Sequence, residues 1–427
     1  MKRKAIDELI EWNSNQVNQP VLLTGAKGVG KTYLAYDFAR SFFEQILYLN
    51  FEREPASHAI FRTTDSREAE KRLIQHFRLE ETKDAPVNGR LLILDEISFC
   101  PEALYHLISL QESPMFPRIL VITSGLIPET DSSRLKVMAI HPLEFDEFLL
   151  AIANEWYVEA ITTHFETNKP LPEIVHKELL TLFELYMKIG GMPGAVNEYL
   201  NFNSLVNIPE QHSLQIGAYH DYILQSNPES EALKMNQVID SLALQLLKPN
   251  KKFQYKLIRK GTTYTMYKDA ILMLKELGYA LQCSKCQMET LISSESSEAV
   301  PEENTNFKLY LPDTGFLYSR IAEESFPVSD PIVRKALLEN YAAQTFHAKE
   351  YPLWFWESDS MAKIDFILRK DDHLIPVEIH IDDNTRSKSL SVIKQKYDYP
   401  YAVKVSSKNF DFSNQVKYVP YYAVFCL

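Results

Sequence analysis

Cysteine is scarce in this chain of 427 residues, with four in all. Cys100, Cys283, Cys286 and Cys426 are too few and too scattered for a disulfide framework, which argues for a reducing compartment. The CSKC stretch at 283–286 lacks the second pair that a structural zinc needs. No apolar run approaches the length of a membrane span, so no membrane partner is expected. The basic N-terminus MKRKAIDELIEW places Ile6, Leu9 and Ile10 on one helix face, and no signal-peptide apolar core follows. A cytoplasmic location is the expectation. Positive charge is also short: 45 Lys and Arg stand against 57 Asp and Glu, a net −12. That excludes a general nucleic-acid coat while leaving room for a local basic patch. What is there is ordinary globular material, 45% hydrophobic and 24% charged. The length exceeds one core and predicts two to four domains.

The strongest signal is VLLTGAKGVGKTYLAYDFA. An apolar strand at Val21–Thr24 runs into the loop Gly25, Ala26, Lys27, Gly28, Val29, Gly30, Lys31 and Thr32, and a helix follows with Leu34 and Phe38 on one face. The glycines let backbone N–H groups converge on one point, and the helix N-terminus adds partial positive charge there. In this G-x-x-x-x-G-K-T pattern Lys31 reaches the β- and γ-phosphates of ATP, and the Thr32 hydroxyl holds Mg²⁺. A second strand, RLLILDEIS, delivers Asp95 and Glu96 at its C-terminal end, where ligands sit in parallel sheets. Asp95 is expected to hold Mg²⁺ and Glu96 to orient and polarise the attacking water. A strand-like run at 46–52 lies between the two motifs, and RILVITSG (118–125) ends in Thr123 and Ser124. This arrangement resembles the AAA-type branch of P-loop ATPases. The resemblance implies that Thr123 or Ser124 senses the γ-phosphate. It further implies an arginine donated by a neighbouring subunit, hence a homo-oligomer; Arg134 is the better-placed candidate and Arg118 the second.

Residues 145–225 read as helices interrupted by GGMPGAV (190–196), a break that suits a lid over the nucleotide. A helix at 231–247, a second helix in TMYKDAILMLKELG and strands beyond them give the order of a winged-helix module. KPNKKFQYKLIRKG (248–261) carries six basic residues and no acid, with Phe253 and Tyr255 interleaved. This composition suits a DNA backbone with stacked bases, or equally a solvated face with two core aromatics. The acidic stretch 293–306 reads as a mobile insertion between strands.

In KIDFILRKDDHLIPVEIH (363–380) two strands flank a turn at Asp371–Asp372. Pairing 370 with 373 then sets Asp365 opposite Glu378, with Cβ atoms about 5 Å apart. Facing carboxylates repel unless a cation lies between them, and a divalent metal is the economical choice. With LLILDE, GGMPGAV, FKLYLPDTGFL, LLEN, IDFIL and IPVEIH in this order, the chain resembles a group of prokaryotic AAA-type ATPases with a C-terminal domain of unknown function. That domain is itself similar to PD-(D/E)XK nucleases. The resemblance implies an acidic metal site at Glu339, Asp365 and Glu378, with a lysine two residues after Glu378. His380 stands there instead, shorter and only partly charged at neutral pH, which weakens the case for cleavage.

The expected architecture is therefore α/β: an AAA-type P-loop ATPase sheet over 1–144, a helical lid over 145–225, a winged-helix-like domain over 226–330 and a nuclease-like domain over 331–427. The expected function is Mg²⁺-dependent ATP hydrolysis coupled to a DNA-interacting C-terminal domain, with DNA contacted through 248–261 and that domain. Two rivals are an ATP-driven switch whose nuclease-like domain only binds, and an ATP-stabilised scaffold. Glu96 speaks against the scaffold, because binding alone does not require it.

Overall fold

The computed structural model describes residues 1–15, 19–79, 89–127, 134–293, 306–358 and 362–427. Two compact units emerge, Lys2–His141 and Pro142–Leu427. Most of the acidic stretch 293–306 lies outside the described residues.

The first unit is built on five parallel strands: β1 (Val21–Thr24), β2 (Gln45–Asn50), β3 (Arg90–Asp95), β4 (Ile119–Ile122) and β5 (Lys136–Ala139). Their order is β2-β3-β4-β1-β5. β3 and β4 are buried along their whole length, as central strands covered on both faces must be. Leu92, Leu94 and Val121 from the sheet pack with Leu104 and Leu107 from the helix Glu102–Gln111. Each such side chain contributes roughly 1.5–3 kcal/mol of burial free energy. The strand met between the two motifs in sequence, β2, lies at the sheet edge. β4, which follows both motifs, is inserted between β1 and β3. That crossover puts the residues after β4 between the glycine loop and Asp95.

The second unit begins with helices Phe145–Ala151, Glu155–Thr167, Glu173–Ile189, Pro193–Phe202 and Ile208–Ser226. In the GGMPG break, Gly190 has φ +73° and Gly191 is wedged against Leu143, whose carbonyl oxygen would lie 2.1 Å from an added Cβ. Asp313, fully buried, accepts from the Gly191 N–H at 2.6 Å and the Gly315 N–H at 2.8 Å. This break is thus a buried corner of the unit.

Helices Glu229–Leu246 and Tyr264–Glu276 lead to a hairpin of β6 (Leu281–Lys285) and β7 (Phe307–Tyr310). The remaining strands are β8 (Trp354–Glu357), β9 (Lys363–Lys370), β10 (His373–Ile379), β11 (Ala402–Ser406), β12 (Asp411–Ser413) and β13 (Val416–Pro420). All eight form one mixed sheet in the order β12-β13-β11-β10-β9-β8-β6-β7. The β6–β8 pairing is parallel and carries the sheet across position 330, where a domain boundary is expected from the sequence. The helix Pro331–Ala348 is buried continuously from Ala336 to Phe346.

The candidate nucleotide site and the C-terminal carboxylates

Gly25, Gly28 and Gly30 have φ of +131°, +88° and +96°, conformations a side chain rarely adopts. At Gly25 a Cβ would also lie 2.2 Å from the Ile140 carbonyl oxygen. Ala26 and Val29 are buried, and Lys27 pairs with Glu52 at 2.6 Å. Arg3 braces the loop by donating to the Val29 carbonyl at 2.9 Å. The helix Lys31–Phe42 starts from Gly30 with no side-chain cap, so no side chain competes at its N-terminus.

Lys31 is folded back into the loop. Its ammonium donates to the carbonyls of Gly25 (2.8 Å) and Ala26 (2.9 Å) and to the Ser124 hydroxyl (3.0 Å). Burial lowers its pKa to about 8, against the opposing pull of Glu96 and Asp95. Ser124 in turn gives both its N–H (3.0 Å) and its hydroxyl (2.6 Å) to the Glu96 carboxylate. Glu96 itself has φ +53°, a backbone strain of about 1–3 kcal/mol held by this clamp and the adjoining turn. Thr123 lies outside the relay: its hydroxyl donates to the Gly125 carbonyl and accepts from the Gly125 N–H, each at 3.0 Å.

The two oxygens of Asp95 differ. Oδ2 accepts from Thr32 Oγ1 (2.9 Å), Tyr48 OH (2.7 Å) and Asn50 Nδ2 (3.2 Å). Oδ1 is buried with no hydrogen-bond partner. Burial, reinforced by the bond to Asp95, holds the Tyr48 phenol above its ordinary pKa, so it remains a donor. Sequence reasoning missed Tyr48 and Asn50. The signal available was their spacing: at i and i+2 on β2 they share a face, and Asn50 pairs in register with Asp95. An unpartnered buried carboxylate oxygen beside a threonine hydroxyl fits what Mg²⁺ takes from a protein when phosphates and water complete its shell.

Of the two arginines, Arg118 is committed inside the unit: it donates to the carbonyls of Asn13 (3.2 Å) and Asn15 (2.8 Å) and lies over the Trp12 ring. Arg134 is exposed; its carbonyl accepts from Gln19.

In the second unit the hairpin register is the expected one, from His373 opposite Lys370 to Val377 opposite Phe366. Asp371 and Asp372 both have positive φ, as a tight two-residue turn requires. The expected metal does not follow. Among the described residues no group of three or more His, Cys, Asp or Glu side chains is arranged to hold one. The reason lies on the other side of β9. Trp354 pairs with Ile367 and Trp356 with Ile364, so Asp365 and Phe366 together oppose one residue of β8. This bulge re-aims the side chains. Asp365 lines a cavity with Glu339, while Glu378 does not line it. Glu378 accepts instead from Ser387 (2.5 Å) and lies 3.4 Å from His380 Nε2.

The cation beside Asp365 is a lysine. Lys335 Nζ lies 2.7 Å from Asp365 and 3.7 Å from Glu339, and it donates to the Ile379 carbonyl. Glu339 also receives Lys251 (3.0 Å), Lys308 (3.2 Å) and the Tyr310 hydroxyl (2.9 Å). Burial alone would raise its pKa, yet Lys308, Lys251 and Lys335 hold it well below the usual carboxylate range.

The basic segment 248–261 divides between the interior and the surface. Lys251 is buried on Glu339, and Lys252 pairs with Glu357 at 2.5 Å. Phe253 is 7% exposed and stacks on Phe307, and Tyr255 packs edge-on against Phe253. Neither ring is free to stack on a base. Lys248, Lys256, Arg259 and Lys260 remain exposed. Cys283 and Cys286 are buried free thiols.

Comparison with known proteins divides the chain into three segments. Residues 17–149 match the AAA domain family, residues 180–325 a domain of unknown function (DUF8612), and residues 334–424 another domain of unknown function (DUF4143). No curated protein is significantly similar in sequence. Among solved structures, the Walker-type ATPase PABY2304 of Pyrococcus abyssi aligns at 13% identity over 74% of this chain and 95% of its own, with TM-score 0.41. The Aeropyrum pernix ORC1 protein, solved in complex with DNA, aligns at 15% identity over 78% and 94%, with TM-score 0.34. AMPPCP-bound DnaA from Aquifex aeolicus aligns at 15% over 64% and 86%, with TM-score 0.28. Residues 17–149 are an AAA-type P-loop ATPase domain.

Proposed function

We propose that the N-terminal unit binds ATP with Mg²⁺ and hydrolyses it. The observation that carries this reading is the split Asp95 carboxylate, with Oδ2 saturated by three donors and Oδ1 buried without a partner beside Thr32. Thr32 and Asp95 would hold Mg²⁺, which when bound neutralises charge across the phosphates. The Gly25–Thr32 backbone cradles those phosphates. Lys31 exchanges two carbonyls and Ser124 for phosphate oxygens, which are stronger acceptors for an ammonium. Ser124, relieved of Lys31, then faces the terminal phosphate and loosens its clamp on Glu96. Glu96 takes up the attacking water as general base. Arg134, exposed in the turn two residues before β5, is the cation that a neighbouring copy of the chain would supply.

For the second unit we propose a nuclease-like fold that binds nucleic acid without cutting it, its state set by the nucleotide. Lys335 in the place of a metal, and His380 in the place of a lysine, favour this switch over a working nuclease.

The test separates phosphate binding from water activation. Lys31→Ala is expected to abolish nucleotide binding, and Glu96→Gln to keep binding while stopping turnover, both read by calorimetry and phosphate release with and without DNA. Turnover by Glu96→Gln at the parent rate would remove Glu96 from its role.

A further inference from the structure

We infer that the cavity over Glu339 and Asp365 is a binding site for a phosphate monoester, seated on lysines and requiring no metal. The cavity measures about 510 Å³, within the range of small-ligand sites. Its walls are largely apolar, with Ile332, Phe355, Ile364 and Ile379 among them, and its charged groups fall into two sets. At the floor, Lys251, Lys308 and Lys335 face Glu339 and Asp365. In the second set, Lys363 faces Glu357 at 3.4 Å. Four lysines thus line the cavity against three carboxylates, so the site carries a surplus of one positive charge.

Lys251 and Lys308 are 8% and 9% exposed, and a surplus charge at that depth is costly unless an anion answers it. The floor groups are ionised. Burial disfavours the Lys308 ammonium, but Glu339 and Asp365 more than restore it above its ordinary pKa. A phosphate monoester is an anion with three terminal acceptor oxygens, enough to meet several ammonium groups at once, whereas a carboxylate has two. Phe355, over whose ring Lys308 lies at 5.0 Å, and the isoleucines suit the organic body. The ligand could be a free small molecule or the phosphorylated end of a nucleic-acid strand. The chemistry is shared, and only the second source rests on the nucleic-acid reading proposed above.

The experiment is calorimetric titration of the full chain with phenyl phosphate, using phenol as the neutral control. Phenyl phosphate is expected to bind at least about tenfold more tightly than phenol. Lys335→Met and Lys363→Met should each weaken it about tenfold, because each removes a positive charge from the cavity lining. Lys363 is 55% exposed, so its variant keeps the test independent of folding. Competition by a 5′-phosphorylated oligothymidylate, absent with its 5′-hydroxyl form, supports a strand end as the source. No competition supports a free monoester and counts against the nucleic-acid reading alone. Phenyl phosphate binding no better than phenol, or unmoved by both lysine variants, overturns the site. So does Mn²⁺ binding that Asp365→Ala abolishes, because a metal would then occupy the place given to Lys335.

Discussion

Ser124 grips Glu96 twice, by its N–H at 3.0 Å and its hydroxyl at 2.6 Å, while the same hydroxyl receives Lys31. One side chain thus joins the cation that meets phosphate to the carboxylate assigned to water. Ser124→Ala cuts this link but leaves Lys31 its two carbonyl partners. We expect ATP turnover to fall on the order of 10²-fold while ADP affinity changes by less than about threefold, because positioning is lost and the cradle is kept. Equal losses in affinity and turnover would show that Ser124 only braces the loop. Thr123→Ala, altering a turn hydroxyl outside the relay, is the matched control.

The depressed pKa of Lys31, about 8, predicts a pH dependence with a definite sign. Burial disfavours the ammonium in the free protein, whereas bound phosphate favours it. Below pH 8 the free protein already carries the charge and ADP affinity should be flat. Above pH 8 binding must take up a proton, so the dissociation constant should rise by up to about tenfold per pH unit. Calorimetry from pH 7 to 9.5 in buffers of different ionisation enthalpy reads both quantities. A flat profile with no proton uptake at pH 9 would refute the placement of Lys31.

Asp313 ties the GGMPG corner to the helix Thr314–Glu323 through the buried N–H groups of Gly191 and Gly315. Its removal leaves both donors without an acceptor at a site closed to water. Asp313→Ala should therefore cost about 3 kcal/mol or more in denaturant unfolding, since each orphaned buried donor costs about 1–3 kcal/mol. Asp330 caps the helix Pro331–Ala348 by accepting from the Ile332 N–H, and the loss of an ordinary N-cap costs about 1 kcal/mol. Equal effects of the two alanine variants would mean the corner admits water.

The glycine loop and the Asp95–Glu96 pair were legible because their residue types have almost no other reason to stand in that order. Tyr48 and Asn50 were not, since an aromatic and an amide on a strand read as core and edge until the parallel register with β3 is known. The same holds for Lys335. Four residues before Glu339 on a helix it reads as a surface ion pair, and only the fold of β9 brings Asp365 to it. The bulge at Asp365–Phe366 leaves no mark in a pattern assumed to alternate by two. The continuity of the eight-stranded sheet was hidden because β6 and β8 pair across a long stretch of chain.

The basic segment yields the last prediction, narrowed by what its residues do in the fold. Lys251 holds the buried Glu339, and Lys252 holds Glu357. Reversing Lys251 would set two carboxylates together out of water, so Lys251→Glu is expected to unfold the second unit rather than report on binding. Lys256, Arg259 and Lys260 are exposed and free of that consequence. If this edge meets a nucleic-acid backbone, the triple change to glutamate should weaken single-stranded DNA binding at 50 mM salt. It should also lower the slope of log affinity against log salt by about 2 units, one counterion contribution of ~0.7 being lost for each phosphate contact on a single strand. Because Phe253 and Tyr255 are packed inward, Tyr255→Leu should leave affinity unchanged within about twofold, where a stacking residue would cost 1–3 kcal/mol per base. An unaltered salt slope in the triple variant returns these lysines and the arginine to a solvated surface.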